Sequence, residues 1–88
     1  MQAVEIYTSP FCGYCHAAKR LLAQKNVTFT EIDIAAHPER RAEMMKRANG
    51  GRTVPQIFIG GVHVGGCDDL HALEREGRLD ALLEGAKS

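Results

Sequence analysis

The chain contains no tryptophan, and only 6% of its 88 residues are aromatic. It also lacks net charge, because eleven Lys and Arg offset eleven Asp and Glu. Without an excess of either sign there is no long-range attraction to nucleic acid or to an anionic membrane surface, and neither is expected as a partner. No apolar run approaches the roughly 20 residues that cross a bilayer. The N-terminal Met-Gln-Ala-Val-Glu has neither the basic nor the apolar stretch of a secretory signal, so the expected location is the cytoplasm. Cysteine is scarce as well, with three in the chain. So small and odd a number argues against a disulfide framework. In a reducing compartment a cysteine pair points instead to redox chemistry or metal binding.

What remains is an ordinary globular composition, 44% apolar. A mass of 9.6 kDa suits one small domain over residues 1–88. Area scaling gives about 5,100 Å² exposed when folded against about 13,900 Å² unfolded, enough for a shallow core.

Hydrophobic periodicity orders the chain. Ala3–Thr8 is β-branched and aromatic and predicts a strand, stopped by Ser9-Pro10. Ala18, Leu21 and Leu22 recur at helical spacing after Cys15, with Lys19, Arg20, Gln24 and Lys25 largely on the other face. Thr28–Ile34 predicts a second strand. Pro38 suits the first turn of a helix through Glu43, Met44, Met45 and Ala48, closed by Asn49-Gly50-Gly51. Gln56–Ile59 and Val62–Val64 predict a hairpin around Gly60-Gly61. A helix opened by Cys67 or Asp68 and ended by Gly77 follows, then a short one carrying Leu79, Leu82 and Leu83. The order β-α-β-α-β-β-α plus one helix reads as an α/β domain. Its first two strands should be parallel and its last two antiparallel.

Cys12-Gly13-Tyr14-Cys15 falls where the first strand becomes the first helix. Two intervening residues let one turn bring both sulfurs within disulfide reach. The first thiol lies at a helix N-terminus, where free N–H groups and the helix dipole favour negative charge. The second lies one turn inside. That asymmetry makes Cys12 the attacking sulfur and Cys15 the resolving one. Other readings of these residues exist. Cys12 to His16 also spells a c-type haem attachment pattern, which belongs to exported chains. Zinc could be held by Cys12, Cys15, Cys67 and His71 if the later helix brought the second pair to the first. The two cysteines could also be unreactive. A CxxC beside a βαβ pattern favours thiol–disulfide exchange.

Three segments, Glu5–His16 (EIYTSPFCGYCH), Thr53–Ile59 (TVPQIFI) and Gly65–Leu70 (GGCDDL), occur in an order and spacing that resembles the glutaredoxins, specifically the small bacterial dithiol glutaredoxin-3 type. The resemblance covers essentially the whole chain. It implies a thioredoxin-like fold, a four-stranded mixed sheet flanked by helices, with Pro55 as a cis-proline facing the cysteines. It further implies a glutathione-dependent disulfide oxidoreductase acting on glutathionylated or disulfide-containing proteins and small disulfides. Glutathione is the co-substrate, with no tightly bound cofactor or metal. The glutathione contacts it implies are Tyr14, Thr53, Val54, Pro55, Gly66, Asp68 and Asp69. Val54 would pair with the tripeptide as an added strand. The backbone N–H groups of Asp68 and Asp69 would hold the γ-glutamyl carboxylate, as a glycine-preceded helix N-terminus can. The Asp69 side chain would meet the α-ammonium, and the bland role for Asp68 or Asp69 is a helix cap.

The chain departs from the family pattern in three places. Ser9 stands where many relatives carry a lysine three residues before the nucleophile, which leaves Lys19 or Arg52 as candidate cations. Asp68 replaces a Ser or Thr. Gly13 replaces the proline of the usual CPYC, and in the family a glycine there accompanies some members that hold a glutathione-ligated [2Fe–2S] cluster between two protomers. The alternative function is therefore a cluster carrier or sensor with Cys12 as the protein ligand. A monomer is expected, and a dimer only with a cluster. Cys67, Met44 and Met45 read as core. His16, His37, His63 and His71 read as surface or packing residues.

Overall fold

A computed structural model describes residues 1–85. β1 (Val4–Thr8), α1 (Gly13–Gln24), β2 (Phe29–Asp33), α2 (Arg40–Arg47), β3 (Gln56–Ile59), β4 (Val62–Gly65), α3 (Cys67–Arg75) and α4 (Leu79–Glu84) follow in chain order. The strands form one sheet in the order β2-β1-β3-β4. β1 and β2 are parallel, whereas β1–β3 and β3–β4 are antiparallel. This is the four-stranded mixed sheet of the thioredoxin-like fold. The accessible surface is 5309 Å², close to the value expected from mass alone.

Strand alternation builds two cores. Val4 and Ile6 of β1 and Ile57 and Ile59 of β3 point to one face. There they meet Ala18, Leu21 and Leu22 of α1, Leu70 of α3, and Leu79 and Leu83 of α4. On the other face, Tyr7, Ile32 and Phe58 pack against Met44 of α2 and Ala48, its C-cap. β3 is buried along its whole length, its apolar Ile57–Ile59 run preceded by a buried polar residue, Gln56.

α2 is joined to its face by a polar cluster that the sequence reading did not anticipate. The Tyr7 hydroxyl donates to Glu43 and accepts from Arg47 Nη1 at 2.9 Å. Arg47 also pairs with Glu5 at 2.8 Å and lies 4.1 Å over the Phe58 ring. A guanidinium serves two acceptors and an aromatic face at once, which a lysine could not do. Burial is the main reason the Tyr7 hydroxyl titrates above its ordinary range, with Glu43 adding to it and Arg47 opposing.

One boundary moves from its expected place. α2 begins at Arg40, with Pro38 and Glu39 in the preceding turn. There the Arg40 and Arg41 N–H groups donate to the His37 and Pro38 carbonyls at 2.9 and 3.1 Å, so the first turn is the tighter i→i+3 kind. α3 begins at Cys67, one of the two expected starts, and its N-cap is Gly66.

Glycine is demanded at one position more than at any other near the site. Gly65 has φ +119°, and a Cβ there would lie 2.2 Å from Asp69 Oδ2. Gly13, the first residue of α1, is the opposite case, with nothing within 4 Å of a Cβ. Urea denaturation should therefore show Gly65→Ala destabilised by about 1–3 kcal/mol. Gly13→Ala should be stabilised by up to about 1 kcal/mol, through loss of unfolded-state entropy and better helix propensity. Equal midpoints for the two variants would contradict this account.

Candidate active site

The loop after β1 and the loop before β3 leave the sheet at the same end, and Cys12 sits where they meet. Cys12 is the N-cap of α1, in an extended conformation with φ −119° and ψ 108°. Its sulfur accepts the Cys15 backbone N–H at 3.2 Å, satisfying one donor that a helix N-terminus leaves open. Its thiol donates to the Val54 carbonyl at 3.5 Å. The Val54–Pro55 peptide bond is cis, as the resemblance implies.

Cys15 differs in every respect that governs reactivity. It is fully buried, whereas Cys12 is half-buried. Burial first, and then its hydrogen bond with Cys12, push the Cys15 thiol up to about 12, while the Ser9 main chain and Lys19 pull weakly the other way. Cys12, Cys15 and Cys67 are all free thiols.

Beside Cys12 lies a cleft of about 500 Å³. Tyr14, Thr53, Val54, Pro55, Gly66, Asp68 and Asp69 all line it, so residues from three separate stretches of sequence converge there. Tyr14 is 67% exposed and stands at its mouth. At the far end, the Asp69 carboxylate accepts the Gly66 N–H at 2.9 Å. Glycine has no side chain to return a cap, and α3 has no side-chain cap hydrogen bond. The first-turn N–H groups of α3 thus remain open beside the cleft. Cys12 borders this cleft through Val54, whose carbonyl its thiol meets, whereas a second groove of about 550 Å³ between β4, α3 and α4 is lined by no residue of the Thr53–Pro55 loop.

The candidate cations separate. Lys19 is held by Glu31 at 2.9 Å, and Glu31 in turn accepts from Thr8 Oγ1 at 2.7 Å. Those two hydrogen bonds keep the Glu31 carboxyl below its ordinary range, and Lys19 is ion-paired to β2. Arg52 remains exposed next to Thr53, and Arg41 donates to the Arg52 carbonyl at 3.0 Å.

Cys67 lines the cleft as a largely buried thiol, pushed up by burial and by the nearby Asp68 and Cys12. Its sulfur lies 3.3 Å from His71 Nδ1, one helical turn on. Among the described residues no three His, Cys, Asp or Glu side chains converge on a common metal position. No described helix is long and apolar enough to cross a membrane. Two cleft residues escaped the sequence reading, Gln56 and His63. Their only sequence signal was a polar residue inside an otherwise apolar strand.

The glutaredoxin family model matches residues 4–64. A glutaredoxin from Pseudomonas aeruginosa is 60% identical over 83 residues, covering 94% of this chain and 98% of that protein. The solution structure of a glutaredoxin from Brucella melitensis superposes with a TM-score of 0.85 at 61% identity, covering all of this chain and 95% of that one. A buckwheat glutaredoxin–glutathione complex, 32% identical, superposes with a TM-score of 0.86 over 99% of this chain and 83% of that one. A buried and a half-buried thiol on one helical turn, a cleft running from the neighbouring Val54 to an open helix N-terminus, and these likenesses agree: the chain belongs to the glutaredoxin family of glutathione-dependent disulfide oxidoreductases.

Proposed function

We propose that the protein removes glutathione from protein mixed disulfides and reduces small and protein disulfides, with Cys12 as nucleophile and Cys15 as resolving thiol. The observation that carries this reading is the contrast within one helical turn. Cys12 is half-buried, with its sulfur at the α1 N-cap and 3.5 Å from the carbonyl of Val54, which lines the cleft, and Cys15 is fully buried.

The Cys12 thiolate attacks the glutathione sulfur of a protein mixed disulfide. The protein sulfur leaves as a thiolate and takes a proton from solvent, while glutathione stays joined to Cys12. A second glutathione thiolate attacks that glutathione sulfur, releasing oxidised glutathione and restoring Cys12. With a protein disulfide, Cys12 first becomes joined to the substrate. Cys15 then gives up its proton and attacks the Cys12 sulfur, releasing the substrate thiol and leaving a Cys12–Cys15 disulfide, which two glutathiones reduce.

The cleft suits the tripeptide along its length. The Val54 backbone offers strand-like pairing next to Cys12, with Thr53 and Pro55 flanking it and Tyr14 covering the ligand. The open N–H groups of Asp68 and Asp69, with Gly66 allowing close approach, receive the γ-glutamyl carboxylate. Asp69 Oδ1 remains available for the α-ammonium, since its Oδ2 takes the Gly66 N–H. Arg52 and Arg41 provide cations for the carboxylate at the other end. Cytoplasmic glutathionylated proteins are the partners, met by a monomer.

A second reading, a glutathione-ligated [2Fe–2S] cluster shared by two copies, has one observation in its favour. The space beside Gly13 is open, and Cys12 is the thiol of the pair that a second copy could reach. Reconstitution with iron, sulfide and glutathione under anaerobic conditions should then give visible absorption and a dimer in the wild type, and neither in Cys12→Ser. A colourless monomer in both would remove this reading.

In an assay coupled to glutathione reductase, Cys12→Ser should lose turnover of a glutathionylated substrate by at least about 10³-fold. Cys15→Ser should keep that activity and lose protein-disulfide reduction. Retained turnover in Cys12→Ser would refute the assignment.

The Cys15 thiol also makes a pH prediction. Its pKa is raised in the folded state from an ordinary 9.0 to about 12. As pH rises past the unfolded value, the unfolded chain releases the proton and the folded chain keeps it. This contribution to stability is complete below about pH 9 and is lost as pH climbs toward about 12. Urea midpoints measured from neutral to alkaline pH should fall less steeply in Cys15→Ala than in the wild type.

A further inference from the structure

Edge strand β4 carries a histidine that the thiol chemistry does not use. His63 Nε2 lies 2.7 Å from Gln56 Oε1. The Gln56 side-chain nitrogen donates to the Thr53 carbonyl at 3.0 Å. A carbonyl can only accept, so the amide nitrogen of Gln56 must face Thr53 and its oxygen must face the imidazole. His63 therefore carries a proton on Nε2 and donates it.

Each member of this relay is held from more than one side. Gln56 is only 6% exposed, and both ends of its amide are satisfied, as a buried polar group requires. A Cβ at Gly51 would come within 3.0 Å of Gln56 Nε2, so the loop backbone packs directly on the amide. The His63 ring lies 5.0 Å from Phe58, centroid to centroid, and Arg47 covers Phe58 at 4.1 Å. Thr53 immediately precedes Val54, whose carbonyl is 3.5 Å from Cys12 Sγ.

We infer that His63 and Gln56 are positioning residues for glutathione: His63 orients the Gln56 amide, which holds the Thr53 carbonyl and so fixes the Val54 backbone against which the tripeptide pairs. The inference rests on the proposed pairing of glutathione with Val54. Neither side chain reaches the reacting sulfurs. Losing the relay loosens the docking surface for ground state and transition state alike, which raises KM and leaves kcat in place.

Steady-state kinetics with a glutathionylated peptide on His63→Leu, Gln56→Leu and Gln56→Glu tests this. Each should raise KM by about 3- to 10-fold, the effect of one neutral hydrogen bond, with kcat within about 2-fold. Gln56→Glu is the sharper probe, because its carboxylate still accepts from His63 but cannot donate to Thr53. His63→Gln, whose amide can donate to Gln56 Oε1, should recover most of the KM. An unchanged KM in His63→Leu, or a His63→Gln variant as impaired as His63→Leu, would overturn the relay. NMR of the same variants separates its failure from that of the functional reading. If the wild type turned over no glutathionylated peptide, the proposed function would fall. The relay would still predict faster exchange of the Gln56 side-chain amide protons in His63→Leu, and wild-type exchange there would overturn it.

Discussion

The antiparallel pairing of β1 with β3 is the constraint on which the site depends. Its register joins Val4 to Ile59 and Tyr7 to Gln56. One strand therefore ends where the other begins. The chain leaving β1 toward Cys12 and the chain entering β3 through Thr53, Val54 and Pro55 emerge side by side. A thiol and a carbonyl 42 residues apart in sequence are brought to 3.5 Å. Both strands lie in the middle of the sheet and their inward side chains are buried in the two cores, so the pairing is anchored by packing as well as by its ladder. A one-residue slip would send Ile57 and Ile59 to the wrong face and part the two loops.

Given that frame, the difference between the two thiols follows from where one helix starts. α1 begins immediately after Cys12, so Cys12 keeps a half-exposed sulfur with a backbone donor aimed at it. Three residues on, Cys15 has turned into the core beneath the helix. Burial removes water from its sulfur and penalises the charged form, which is why its proton is held so firmly. Sequence spacing sets the separation of the pair, and the helix rotation of about 100° per residue sets the contrast in exposure.

Much of this was legible in the residues themselves. Every strand and helix was anticipated, because the apolar periods are clear and the turn residues stand where the structure needs them. Gly60 and Gly61 have φ +59° and +81°, as a two-residue hairpin turn requires. Three motifs stood out in the sequence, and residues from the last two, with Tyr14 from the first, line one cleft. The start of α2 was less legible, because the chain at Pro38 and Glu39 first makes i→i+3 turns, and the α-helix proper begins at Arg40. The partner of Lys19 could not be read either. A lysine near the cysteines in sequence gives no sign that Glu31, on a neighbouring strand, will engage it.

The sequence by itself determined the elements, the two-faced burial of the strands and the spacing that sets Cys12 just before a helix and Cys15 within it. Those depend on short-range periods and on where a helix can begin. Only the tertiary structure decided which polar side chains meet across the sheet. Tyr7, Glu43, Arg47 and Glu5 come together on one face, and Thr53, Gln56 and His63 form a line beside the cleft. Such contacts join residues far apart along the chain. They depend on register and on which face each side chain takes, and hydrogen bonds reach only about 3 Å. No spacing within a single segment carries that information, so it appeared only once the strands were laid side by side.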